Sequence, residues 1–596
     1  MLKIRGEQQV EYILLRDRLK EPQQQKFTKY EFDIPFRPRG QDWDARGVTF
    51  IDCIFHHHVN ISEAQLSEGM RFDQCTFHKG ITFDLCKANQ SNSNFNENRN
   101  ISLDFTSCNI GVGLIIQGSE LGFGVSLTEN CETDRIQLVS SDITQFTLEN
   151  SIVKKGFEAL IINATKGVEL INSSIMRLGM MECKFELILR KITCLELVNL
   201  DSSTFNTLMI QDGTYSGGFL LKHCHSQYSI SVNGATFEKA FFLDQSEATG
   251  EKPEKLNGFW ISDCDFKAGF DYRGSQTQQT EGLSQLTITC GDQLKGNFDF
   301  QNCRIGTTRI QGLNSASIIF AYCRLDQLHL EGLVNKGALT LVSIQPIKYN
   351  ESFFYISKSV LGKTFLSDCD LRSYESVTIT HSNISEVVTT SVEWFAEAQL
   401  NRKVMIDIFF NAQMTPLNRA TAIRTVDYQI KKDLFRQLKF AMEKQGDQFN
   451  RMHFRKEELN AYRNELLYQK LSIKNIGDKL ILWLNRSNDY GFNWLKPMLL
   501  ILSSTFVFNI LLSISINPKL TWIPSIENVS YTFHYLLYNF YNYFSLLNPT
   551  HRIIDLFGIR DSSKPSFLFY LLDFLERLSI SYLLFQMIVA FRKYTK

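Results

Sequence analysis

The chain has 596 residues, 44% of them hydrophobic, and its 63 Lys and Arg balance 63 Asp and Glu to a formal net charge of zero. That length allows several domains, and the balance argues against the basic coat of a bulk nucleic-acid binder. It hides two local features, a basic stretch before residue 496 and an apolar C-terminal hundred residues.

The chain starts without an apolar run of signal-peptide length: residues 1–18 carry Lys3, Arg5, Glu7, Glu11, Arg16 and Asp17. This predicts a head that is not secreted, with reduced cysteines. Residues 1–44 lack the repeat that follows and are expected to cap it. Within them 19–29, with Glu21-Pro22-Gln23-Gln24-Gln25, reads as a loop.

From 45 to 395 one pattern recurs: a large apolar residue, Cys three later, an apolar residue two after that. Eight of the 13 cysteines follow it, among them Phe50-Cys53-Phe55, Phe72-Cys75-Phe77, Ile261-Cys264-Phe266 and Leu366-Cys369-Leu371. Serine takes the same slot in Leu148-Ser151-Val153, Leu170-Ser173-Ile175 and Leu200-Ser203-Phe205. Many intervals fall near 10, 20 to 22 or 33 residues, the spacing of short strands in a solenoid. In such a fold each coil lies about 4.8 Å above the last, so equivalent positions form ladders. Large apolar residues make the inner ladders, and a tight corner admits only a small side chain such as reduced Cys or Ser. Asp52, Asn150, Asn172, Asp263, Asn302 and Asp368 beside the slot suit a turn. About 21 residues per coil predict roughly 16 coils and a rod on the order of 75 Å.

These residues resemble a right-handed β-helix, akin to the pentapeptide-repeat and polymorphic-repeat solenoids. The five-residue rhythm of a true pentapeptide repeat is absent, and so is the acidity of the DNA mimics built on it. Zinc is the rival use of the cysteines, but no CxxC occurs and they are spread one per coil. His56-His57-His58 places two imidazoles on one strand face, with no carboxylate or Cys at supporting spacing. Some right-handed β-helices are carbohydrate enzymes, yet Asp263/Asp265 and Asp368/Asp370 recur as part of the corner ladder. No P-loop, nucleophile elbow or zinc box is present, so neither catalysis nor a cofactor is expected.

Residues 416–490 read as a helical connector. Ile423, Val426, Ile430, Leu434, Leu438 and Met442 recur at three- and four-residue steps, and Gly446-Asp447 ends that helix. Phe449, Met452, Leu459, Tyr462, Leu466 and Leu467 suggest a second. Two roles stay open, a hairpin packed on the last coil and an oligomerisation collar. The run Phe435-Arg436-Gln437-Leu438-Lys439, then Gln445-Gly446-Asp447, Phe454-Arg455-Lys456-Glu457 and Ala461-Tyr462, resembles a linker of bacterial membrane proteins. Those proteins join a pentapeptide-type solenoid to two spans, and the resemblance implies an ion-channel module here.

Residues 494–596 form the membrane end. Spans are predicted over about 497–516 and 567–591, each long enough to cross a hydrocarbon core of about 30 Å. Between them 529–547 is uncharged and holds eight Tyr and Phe. Residues 417–496 carry sixteen basic against nine acidic groups, and Arg592, Lys593 and Lys596 follow the last span. Both termini are therefore expected in the cytoplasm of a bacterial inner membrane, although Lys519, Arg552, Arg560 and Lys564 oppose that orientation. Asp573, Glu576 and Arg577 are costly inside a span. They would line a pore, fix helix register as a buried pair, or lie in the headgroups if the span starts later. Asn539 and Asn542 suit water better than lipid and are further pore-lining candidates.

The order span, aromatic half-segment, span resembles a tetrameric channel subunit, which implies a homo-oligomer. Its filter position reads Ser545-Leu546-Leu547-Asn548-Pro549, so potassium selectivity has no support. The architecture also resembles the channel effector of Hailong-type anti-phage systems. That resemblance implies an oligonucleotide ligand made by a partner nucleotidyltransferase, met by basic residues such as Arg419, Arg424, Lys431 and Lys432. The alternative for those four is ordinary juxtamembrane charge. A membrane-anchored scaffold that binds a protein, and a membrane-bound carbohydrate enzyme, are the other readings of the whole chain.

Overall fold

The computed structural model describes residues 2–4, 26–38, 47–66, 69–88, 101–122, 124–245, 256–274, 282–400, 416–469, 473–516, 526–538, 540–557 and 566–592. They fall into two compact units, Met1–Asn401 and Arg402–Lys596.

The first unit is a β-solenoid of about 15 turns, with its strands in two sheets of 24 and 18 members. One coil runs Val48–Ile51, Ile54–Phe55, Val59–Ser62, and the next begins at Met70–Asp73. Val48 lies beside Met70, 22 residues on, in parallel register. Longer steps carry insertions: Met70 pairs with Leu103, and Ile230 with Phe259. In Val48–Ile51 alternate side chains are buried, because a strand turns successive residues to opposite faces.

Aromatic ladders fill the inside. Phe27, Phe50, Phe72 and Phe105 stack at 5.1, 5.2 and 4.9 Å, and Phe32, Phe55 and Phe77 at 4.6 and 4.8 Å. These separations are set by the backbone spacing of about 4.7–4.9 Å between hydrogen-bonded strands.

The corners explain the cysteines. Asp52, Asn150, Asn172, Asp263, Asn302 and Asp368, each just before a Cys or Ser, adopt left-handed backbone with φ between +45° and +54°. Asn and Asp tolerate that conformation better than most residues. The following small side chain turns inward and donates to the carbonyl two residues back, as Cys53 Sγ does to Ile51 at 3.3 Å and Ser151 Oγ to Glu149 at 2.8 Å. All thirteen thiols are free and buried. Cys86, Cys131 and Cys224 occupy the same slot after left-handed Leu85, Asn130 and His223. Thr133 and Ser226 replace the pattern's last apolar residue after Cys131 and Cys224, Thr128 replaces its first before Cys131, and after Cys86 the last position holds only the small Ala88.

The ladder also starts before the pattern does. Lys26–Thr28 pairs with Thr49–Ile51, and Glu31 and Phe32 pair with Ile54 and Phe55. The expected loop over 19–29 thus ends in a strand, and its residues 19–25 lie outside the described ones.

The second unit is helical. Its elements are α1 (Pro416–Gln445), α2 (Gln448–Tyr468), α3 (Ile473–Asn485), α4 (Leu495–Ile516), α5 (Ile526–Tyr538), α6 (Phe540–Leu546), α7 (Ile553–Leu556) and α8 (Phe567–Phe591). The first two form a hairpin. Gly446, at φ +75°, ends α1, and Asp447 caps α2 by accepting from the Asn450 amide at 3.0 Å. Leu434, Leu438 and Met442 are buried as their spacing predicts, whereas Phe449 and Leu467 point outward.

Candidate functional site

Helices α4 and α8 are long and apolar enough to cross a membrane, and only 28% of each is buried within the chain. A core helix of a soluble domain would be covered far more completely. Their outward residues include Leu499, Phe506, Val507, Phe574, Leu578 and Phe585.

The two helices pack antiparallel. Leu512 and Phe569 share one apolar cluster with Leu546 and Ile553, while Trp494 and Phe591 stack at 5.2 Å at the opposite end. Asn488 Nδ2 donates to Gln586 Oε1 at 2.6 Å near that second end. With a rise of about 1.5 Å per residue, these anchors put Glu576 level with the stretch from Thr505 to Asn509.

The buried stripe of α4 is polar through its middle. Thr505, Asn509 and Ser513 follow at four-residue steps and are all buried, as are Asp573, Glu576 and Gln586 on α8. Thr505 Oγ1, Asn509 Oδ1, Ser513 Oγ and both carboxylate oxygens of Glu576 have no hydrogen-bond partner. By contrast, Ser504 and Ser515 on the same helix donate back to Ile501 and Leu512.

One turn along α8 the polar groups are joined. Asp573 accepts from Arg577 Nε at 3.0 and 3.1 Å through its two oxygens, the four-residue pairing its spacing predicts. His551 completes the group: Nε2 lies 3.0 Å from Asp573 Oδ1, and Nδ1 lies 2.7 Å from the Asn548 carbonyl oxygen. His551 is 7% exposed, Asp573 8% and Glu576 0%. Of the three charged residues expected in the second span, Asp573 and Arg577 therefore pair within one chain, while Glu576 is buried beside them without a hydrogen bond. His551 was missed, because no spacing rule links it to a residue 22 positions on.

The aromatic segment forms α5 and α6. Neither, at 13 and 7 residues, reaches the roughly 20 residues of a full span. Tyr543 donates to the Leu502 carbonyl at 3.1 Å, so α6 lies along α4. Asn542 is buried there with Oδ1 unpartnered. Asn539 lies outside the described residues.

The basic candidates of the connector are engaged in its hairpin. Arg424 donates to the Tyr468 hydroxyl at 3.1 Å, Lys431 lies 3.7 Å from Asp427 and is buried, and Lys432 pairs with Glu465 at 2.6 Å. The side chain of Arg419 lies outside the described residues. Helix α3 presents a feature the sequence reading ran into the connector: Leu482 packs against Leu466 and Tyr490, while Ile476, Leu480, Ile481 and Trp483 point outward. Lys479 lies on the same helix and Arg486 just beyond it.

In the solenoid, His56 meets a carboxylate the sequence spacing did not offer, Glu31 of the preceding coil at 2.8 Å. His56, and then Lys3, hold the Glu31 carboxyl below its usual range. His58 is bonded to the Lys79 carbonyl and Thr82. A groove of about 610 Å³ along one corner is lined by Asn130, Asn150 and Asn172, residues of the turn ladder.

No family model, curated protein or solved structure matches the chain. A β-solenoid with two apolar helices is compatible with a membrane-anchored β-helix protein.

Proposed function

We propose that the protein is an oligomeric, multi-pass ion channel of a bacterial inner membrane, opened by what its solenoid head senses. The observation that carries this reading is the seam of Thr505, Asn509, Ser513, Asn542 and Glu576, buried in apolar helices with unpartnered polar atoms. A buried polar group left unsatisfied costs about 1–3 kcal/mol, so this packed arrangement stores a preference for water. Separation of α4 from α8 would hydrate the seam, and Glu576 would then bias the path toward cations. The outward apolar stripe of α3, flanked by Lys479 and Arg486, suits a helix lying in the membrane interface just before α4. The proposal includes a homo-oligomer, taken as a tetramer, and assigns the chain no reaction. A large sensor on a small, harmful pore fits an effector of anti-phage defence. Its trigger would be an oligonucleotide from a partner nucleotidyltransferase, held by phosphate contacts on the head or connector.

One observation favours a second reading, a membrane-anchored scaffold whose helices only tether. The Asp573–Arg577–His551 network closes on itself within a chain, as a register-fixing ion pair would. Planar-bilayer recordings on the full-length protein separate the two. A channel gives discrete conductance that Asn509→Leu changes several-fold. A tether gives none, in the wild type or in a Glu576→Gln variant that relaxes the seam.

A further inference from the structure

The helical unit holds a donor cluster of which the conduction reading uses Glu576 alone. One ring nitrogen of His551 and one carboxylate oxygen each of Asp573 and Glu576 lie within 4.8 Å of one another. No other group of three such donors occurs among the described residues.

Three observations set it apart from a chance meeting of acids. Glu576 is fully buried, and neither of its oxygens has a partner. A carboxyl group in that position either holds a proton or pairs with a cation. Next, the Asn548 carbonyl, 2.7 Å from Nδ1, makes that nitrogen the donor and turns the Nε2 lone pair toward Asp573 Oδ1 at 3.0 Å. Two lone pairs so close repel unless a proton or a metal ion lies between them. A proton would relieve that contact and leave Glu576 bare; a divalent cation answers both. Finally, an imidazole that donates its far N–H to a backbone carbonyl has the usual orientation of a metal-bound histidine.

The separation fits as well. Two tetrahedral ligands each about 2.0–2.1 Å from one ion lie about 3.3 Å apart, close to the 3.0 Å between His551 Nε2 and Asp573 Oδ1, and the Glu576 oxygen lies within 4.8 Å of both. Arg577 already balances the charge of Asp573, so the ion's charge is left to neutralise Glu576. One imidazole with two carboxylates suits a borderline divalent ion better than Ca²⁺ or Mg²⁺, which favour all-oxygen shells.

We propose that His551, Asp573 and Glu576 bind a divalent first-row transition-metal ion of the Zn²⁺ class, with a fourth position left to water. The ion would clamp the turn after α6 to α8, beside the cluster of Leu512, Leu546, Ile553 and Phe569. The site does not depend on conduction, and its test reads metal rather than current.

Chelator-stripped, full-length protein in detergent is titrated with Zn²⁺ by calorimetry, and the loaded sample is examined by X-ray absorption. The rival ligands are the thirteen solenoid thiols, and the spectrum distinguishes them by the longer Zn–S distance, about 2.3 Å. The site predicts one ion per chain at micromolar metal, an all nitrogen and oxygen shell, and affinity lowered about tenfold or more in both Glu576→Gln and His551→Gln. Sulfur in the shell, no binding by the wild type, or unchanged affinity in both variants overturns it. If either variant fails to elute as the wild type does, the wild-type stoichiometry and spectrum decide alone.

Discussion

Hydroxyls are buried at the solenoid corners and in the apolar bundle, and the two places treat them differently, although Ser226 and Thr308 elsewhere in the solenoid are also buried with unpartnered hydroxyls. At a solenoid corner Ser173 donates to the Ile171 carbonyl at 2.8 Å and accepts from the Ser151 amide at 3.1 Å. In the apolar bundle Thr505 and Ser513 are as deeply buried and have no partner. The corner is a static solution, in which a left-handed residue and a small donor satisfy the turn coil after coil. The seam is incomplete, and groups left incomplete inside a span are where function is expected. The corner ladder is thus satisfied within one form, and the seam is not.

The sharpest break in this comparison lies within α8. Asp573→Ala strips the partner from Arg577 and His551 and should destabilise the detergent-solubilised bundle by about 3–5 kcal/mol. Glu576→Leu, three residues away, removes an unpartnered buried carboxyl group and should stabilise it, measured by thermal unfolding in the presence of chelator. Equal losses from both would mean that Glu576 has a partner and that the seam is satisfied.

A middle-sized effect tests the corner. Cys264 donates to the Ser262 carbonyl at 3.1 Å after left-handed Asp263. Serine can make the same bond, so Cys264→Ser should cost under about 1 kcal/mol, whereas Cys264→Phe overfills the corner and should cost about 1–3 kcal/mol. Urea unfolding followed by circular dichroism reads the difference.

A pH dependence of the head tests its buried thiols. Burial pushes the thiols of Cys86 and Cys194 up to about 11 and those of Cys264 and Cys290 to about 12. Their unfolded values lie near 8.5, so above that pH the folded chain holds more protons than the unfolded one. Stability is then full below about pH 8.5 and falls as pH rises toward 11 and 12, by at most about 1.4 kcal/mol per pH unit for each thiol. Unfolding midpoints taken from pH 8 to pH 10.5 should decline, and a flat profile would place those thiols in contact with water.

The solenoid was legible because its corner combines two local demands, a residue that tolerates left-handed backbone and a small one after it. Where the second apolar residue was Ala88, Thr133 or Ser226 the pattern broke, although the corner persisted. The first coils were missed because a three-residue strand such as Lys26–Thr28 has a single inward side chain, Phe27. Length and apolarity located both helices able to cross a membrane. The four-residue spacing of Thr505, Asn509 and Ser513 was a signal available in the sequence and unused. His551 had none, since only the turn after α6 brings it to Asp573.

The central claim is that the seam meets water when the protein opens, and cysteine scanning tests it most directly. All thirteen native thiols lie buried in the solenoid and none follows residue 369, so the wild type is a silent background. Asn509→Cys is placed on the seam, and Phe506→Cys on the outward face of the same helix. During bilayer recording, a charged, membrane-impermeant methanethiosulfonate should alter the current of Asn509→Cys and leave that of Phe506→Cys unchanged. Current in both variants that the reagent leaves untouched, or changes equally, would contradict a conducting seam.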